Sequence, residues 1–154
     1  MKEIIFETKI RTYPLAELPD EFKELTRLSI LATRDAYAPY SKFQVGAALL
    51  LENGVIVTGN NQENVAYPSG LCAERVALFY AGAQYPDVAV YAIAIAAQTK
   101  GERVEMITPC GACRQVLLET ENRYKRPMKV LLCGRTQIYI VESATSLLPL
   151  SFNG

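Results

Sequence analysis

Cys72-Ala73-Glu74-Arg75 and Pro109-Cys110-Gly111-Ala112-Cys113 are the two stretches around which the rest of the chain reads. Each opens a helix that follows a strand and a loop, so together they lay out the alternation of the fold. They also gather three thiols and one carboxylate. The chain has four Cys and no His. Zinc takes four tetrahedral ligands drawn from Cys, His, Asp and Glu. A closed structural site would therefore need Cys133 or a carboxylate as its last ligand. If Cys133 stays out, the remaining position belongs to water and the site is catalytic in form. The reading is that Cys72, Cys110 and Cys113 hold one zinc ion per chain, with Glu74 as the general acid/base acting on its water.

Working outward, composition limits the classes. A length of 154 residues predicts a single domain, 1–154, large enough for a real core. The chain is 50% hydrophobic and 21% charged, ordinary for a globular protein. Sixteen basic and sixteen acidic residues cancel, which argues against a nucleic-acid partner, since gripping phosphates needs a basic excess or stripe. The densest basic cluster, Arg123, Lys125, Arg126 and Lys129, reads as a solvated helix end and turn. No apolar run approaches the ~18–20 residues of a membrane span. Met1 to Glu7 carries acids and lacks the apolar core of a secretory signal. The expectation is a cytoplasmic protein, where Cys-x-x-Cys means metal or redox chemistry rather than a disulfide.

Residues 3–11 alternate apolar and polar, which predicts a half-buried strand, an added edge on the sheet. Asp20 is the expected N-cap of an amphipathic helix over 21–37, with Phe22, Leu25, Leu28, Ala32 and Ala36 on one face. Phe43–Leu51 and Val55–Thr58 flank Asn53-Gly54, a strong hairpin signal. Gly46 inside the first of these strands permits close approach of a neighbour. A helix is expected from Cys72 to Gln84. The continuous apolar run Val88–Ala97 predicts a central strand covered on both faces. A polar loop 98–108, a helix 110–124, strands 128–133 and 137–142, and a helical turn 144–148 complete the series. The order predicts an α/β fold with one mixed sheet of about five strands and helices on its faces.

Three thiolates around one Zn²⁺ leave a net negative charge. Helix N-termini, with unpaired N–H groups and partial positive charge, stabilise thiolates without a His. Arg75, close to Cys72, is a candidate donor to a ligand sulfur. Glu74 alone reads as an acid favoured by the helix dipole; beside three thiols it reads as the proton carrier.

Cys-Ala-Glu followed by Pro-Cys-x-x-Cys is a pattern already described for zinc deaminases of nucleobases, so the assignment rests on that likeness. Over residues 30–152 the chain resembles the small, three-cysteine, homotetrameric cytidine deaminases. The likeness runs through Ala36–Leu50, Asn61–Asn64, Cys72–Arg75, Pro109–Gln115, Leu147–Pro149 and Phe152. It implies a three-layer α/β/α fold and hydrolytic deamination of cytidine and deoxycytidine in pyrimidine salvage. It also implies site roles. Asn61 and Glu63 would hold the ribose 3′-hydroxyl, Phe43 would lie beside the pyrimidine, and the backbone of Ala73 would bond its edge. Phe152 would reach a neighbouring subunit's site, though Phe43 and Phe152 are also compatible with core or interface duty. Departures are Gln62 for a usual aliphatic residue, Val76 for a common Thr, an N-terminal extension of 1–19, and an end two residues past Phe152 without the usual acidic tail. Competing expectations are a deaminase of another aminopyrimidine nucleoside such as blasticidin S, a nucleic-acid editing deaminase, and a non-enzymatic zinc module closed by Cys133.

Overall fold

The computed structural model describes residues 1–154. Its frame is one seven-stranded sheet. In chain order the elements are β1 (Ile10–Pro14), α1 (Asp20–Ala32), β2 (Phe43–Leu51), β3 (Ile56–Asn60), α2 (Ala73–Gln84), β4 (Val90–Thr99), β5 (Glu102–Arg103), α3 (Gly111–Tyr124), β6 (Lys129–Cys133) and β7 (Gln137–Val141). Short 3₁₀ turns include Tyr67–Ser69 and Ala144–Leu147. The strands run β1-β7-β6-β4-β2-β3, with β5 folded back onto β4. Only β4 and β6 pair in parallel, joined by the α3 crossover; every other pair is antiparallel. No helix is long and apolar enough to cross a membrane.

The apolar run expected as a central strand is β4, and its alternation explains the layers. Ala92, Ala94 and Ala96 face α1 with Phe22, Leu25, Leu131 and Ile138. Ile93 and Ile95 face the other way, into a core with Leu49, Ala77, Leu78, Leu117 and Leu132. Helices therefore cover both faces of the mixed sheet, as expected. The side facing α1 is built of small residues so that the helix lies close. A Cβ on Gly46 would collide with the Ser29 carbonyl and the Thr33 amide nitrogen, so this glycine is what lets α1 seat on β2. Gly59 does the same for α2, where a Cβ would sit 2.7 Å from the Ala77 nitrogen.

Three sequence expectations need correcting. The sheet has seven strands rather than about five because β1 adds an edge and β5 is a two-residue return inside the expected polar loop. The first strand is Ile10–Pro14, not 3–11, because pairing with β7 from Ile10↔Val141 to Pro14↔Gln137 sets it. Ile4, Ile5 and Phe6 have no partner strand and stay exposed. Asp20 is not the N-cap of α1: Pro19 holds that position, and Asp20 lies in the first turn, paired with Lys23 at 2.6 Å.

Candidate metal centre and substrate pocket

The N-termini of α2 and α3 converge on one point. Cys72 and Cys110 are their N-cap residues, both in extended conformation, and neither helix has a side-chain cap. Cys113 lies in the first turn of α3 and is fully buried. The sulfurs of Cys72, Cys110 and Cys113 all lie within 4.8 Å of one another, and those of Cys72 and Cys110 are 3.8 Å apart. Tetrahedral zinc with sulfur ligands at about 2.3 Å places sulfurs about 3.8 Å apart. The donor set fits one zinc ion, with the uncapped helix N–H groups favouring thiolate charge. Neither Cys133 nor any carboxylate joins this cluster. Cys133 is buried with α1, its sulfur 3.8 Å from the Ser29 hydroxyl and 3.9 Å from that of Thr26. The closing ligand of a structural site is thus absent.

Arg75 sits one turn into α2 and donates from Nη2 to the Cys72 sulfur at 3.6 Å. The neighbouring Cys113 thiol, with Arg75 and Cys110, draws the Cys72 thiol down to about 5. The nearness of Cys72, reinforced by burial, pushes Cys113 up. Glu74 is 4% exposed. Burial pushes its carboxyl above the usual range, and the charge of Cys72 adds to this.

Next to the sulfurs lies a cavity of about 470 Å³ whose wall includes Asn61, Glu63, Tyr67, Cys72 and Arg75. Asn61 follows β3 and locks the rim. Its Oδ1 accepts from the Val45 N–H at 2.8 Å and its Nδ2 donates to the Phe43 carbonyl at 2.9 Å. Glu63 accepts from the Tyr40 and Ser41 N–H groups at 2.9 and 3.2 Å and from the Ser41 hydroxyl. That hydroxyl, with the two N–H groups, holds the Glu63 carboxyl below its ordinary value.

The structure thus brings Cys72, Cys110, Cys113 and Arg75 into one cluster, and Asn61 and Glu63 into the adjoining wall. Phe43, half-buried at the start of β2, and Ala73, sealed in the core, do not line this cavity. Phe152 does not line it either; it is 77% exposed, its carbonyl accepting from Gln115 Nε2 at 3.0 Å. Tyr40, Ser41 and Tyr67 were not assigned site roles from the sequence. The available sequence signal was the turn residues Pro39 and Ser41; the structure adds that Lys42 closes the loop at φ 58°.

Comparison with known proteins places this arrangement. The model of the family described as the cytidine and deoxycytidylate deaminase zinc-binding region matches residues 19–126. The chain belongs to this family of zinc-binding deaminases. It is 48% identical over 95 residues to a cytidine deaminase from Halalkalibacterium halodurans, covering 62% of this chain and 68% of that one. A second relative, the cytidine deaminase of Sporosarcina psychrophila, is 46% identical over 99 residues, covering 64% and 69%. The crystal structure of cytidine deaminase from Burkholderia pseudomallei superposes with a TM-score of 0.71 at 42% identity, covering 84% of this chain and 98% of that one. The enzyme of that name from Mycobacterium tuberculosis gives 0.69 at 31% identity, covering 88% and 100%.

Proposed function

We propose that this chain is a zinc-dependent cytidine deaminase, hydrolysing cytidine and deoxycytidine to uridine and deoxyuridine with release of ammonia. The observation that carries the reading is a trio of sulfurs, 3.8 Å apart at its Cys72–Cys110 edge, with a buried carboxyl two residues from Cys72 and a nucleoside-sized cavity alongside. Cys72, Cys110 and Cys113 hold the metal. Zinc, when bound, supplies a Lewis acid that brings its water towards a pKa of ~7.

Glu74 carries the protons. Its raised carboxyl takes one from the attacking water, gives it to N3 of the pyrimidine, and then assists the departing amine. One water is consumed and one ammonia leaves, so the exchange at C4 balances. Arg75 offsets the negative charge of the sulfurs through Cys72. Asn61 retains one Nδ2 hydrogen and one Oδ1 lone pair beyond its bonds to β2, and Glu63 retains acceptor capacity beyond the loop it holds. An amide and a carboxylate in that state offer donor and acceptor to one ribose hydroxyl. Contacts of Phe43 and the Ala73 backbone with the base, implied by the family likeness, would lie beyond the wall of this cavity.

The same reading places the enzyme in the cytoplasm, in pyrimidine salvage, and as a homotetramer. Exposed Phe79 and Tyr80 on α2 and exposed Phe152 supply apolar surface for such an assembly, within which Phe152 reaches a neighbouring site. The single domain spans 1–154 with 1–19 as an extension.

The test is to count zinc per chain and measure ammonia released from cytidine, deoxycytidine and free cytosine. About one zinc is expected, with both nucleosides as substrates and cytosine inert for want of a ribose. No ammonia from either nucleoside overturns the reading. Cys110→Ala is expected to abolish zinc binding; unchanged zinc content removes Cys110 from the ligand set.

A further inference from the structure

The three sulfur-bearing residues are anchored in different ways. Cys113 is fixed by full burial on α3. Cys72 follows Leu71, which exchanges two main-chain hydrogen bonds with Gln62, each 2.9 Å. Cys110 is exposed and ends a stretch, 106–110, without regular structure. Its anchor is Arg114. The Arg114 Nε donates to the Pro109 carbonyl at 2.9 Å, and Nη1 donates to the Leu147 carbonyl, also at 2.9 Å. Neither carbonyl is reached by a turn or loop N–H, so one guanidinium satisfies both. Leu147 closes the 3₁₀ turn Ala144–Leu147, whose opposite end is gripped by Glu121, two turns further along α3. Glu121 accepts from the Ala144 and Thr145 N–H groups at 2.8 and 3.0 Å. Arg114 and Glu121 thus strap this turn along α3 by its two ends. The turn in turn gives Arg114 a fixed point against which to hold Pro109.

We propose that Arg114 is a positioning residue for the metal centre: it braces the Pro109–Cys110 peptide against the C-terminal turn and so fixes the one sulfur that burial and strand pairing leave loose. The proposal rests on Cys110 being a zinc ligand. A planar fork reaching two carbonyls is something a lysine does not reproduce. Loss of such an outer partner typically weakens metal binding about 10–100-fold.

The test compares wild type, Arg114→Met and Arg114→Lys as full chains. Zinc affinity is measured by chelator competition, and the thiolate-to-metal charge-transfer band is recorded with Co²⁺ in place of zinc. Both variants are expected to bind zinc at least ~10-fold more weakly and to show a shifted cobalt band. If Arg114→Met does not fold, Arg114→Lys, which keeps the charge and one bond, is read in its place. A purely structural role lowers the unfolding midpoint while affinity and band stay as in wild type; that result overturns the proposal. Failure of the wild-type chain to take up zinc overturns the ligand assignment itself and the brace with it.

Discussion

Glu74 and Glu121 are both carboxylates on helices beneath the same face of the sheet, and both are nearly sealed, at 4% and 6% exposure. Their surroundings diverge. Glu121 is met by the N–H groups of Met128, Ala144 and Thr145 and by the hydroxyls of Ser143 and Thr145. Its lone pairs are spent on structure, joining α3, the start of β6 and the C-terminal turn. Glu74 has no such ring of donors. Burial dominates its environment and lifts its carboxyl, and the neighbouring Cys72 reinforces the effect. Two acids of equal burial therefore differ in the number of donors each meets, which suits Glu121 to structure and Glu74 to the proton transfer proposed for it. Burial alone does not mark a candidate working carboxylate; burial with few donors, beside a cluster of sulfurs, is what supports the role proposed for Glu74.

The largest effect is expected at Glu74. Glu74→Gln keeps the shape and removes the exchangeable proton, so turnover should fall by about 10²–10⁴, with zinc content unchanged. Steady-state ammonia release and metal analysis on one preparation check this. Near-normal turnover would erase the distinction between the two acids. Glu121→Ala should do the reverse. It strips a partner from several buried donors and should cost about 1–3 kcal/mol for each donor left unsatisfied, read from urea unfolding. The zinc-loaded folded fraction should keep its ability to turn over cytidine. A loss of turnover with stability intact would mean that Glu121, too, belongs to the chemistry.

The sequence carried one of these acids and hid the other. Glu74 is singled out by the sequence because it lies two residues after a thiol and one before an Arg, a spacing tied to known chemistry. Glu121 sits in the last turn of α3 among Thr120, Asn122 and Arg123, a polar run that reads as a solvated face. Only the return of residues 143–145 over α3 makes it interior. The same division holds for the fold. The Asn53-Gly54 turn, with Gly54 at φ 84°, and the β4 run declare themselves locally. The edge strand does not, because the register of Ile10–Pro14 is decided by β7, more than a hundred residues away. Cys133 was readable as a small buried apolar residue from the strand around it. The brace at Arg114 depends on a carbonyl supplied by Leu147 and leaves no local trace.

A third carboxylate sharpens the comparison with the smallest effect. Glu63 has donors in plenty, as Glu121 does, but it lies near solvent at the cavity rim. The Ser41 hydroxyl, followed by the Tyr40 and Ser41 N–H groups, depresses its carboxyl. A carboxyl depressed in the folded state contributes fully above the ordinary carboxylate value and loses its contribution as pH falls through the lower folded value. The loop it holds should therefore stay fixed from neutral pH down to about 4 and loosen only below that. Amide NMR shifts of Tyr40 and Ser41 report this directly. Both should titrate together with a midpoint under the ordinary glutamate value of about 4.3, and Glu63→Gln should abolish the titration. A midpoint at or above that value would mean that donors at an exposed rim do not hold an acid as they do in the interior. Donor number would then not be enough to explain the contrast between Glu74 and Glu121, whose burial is equal.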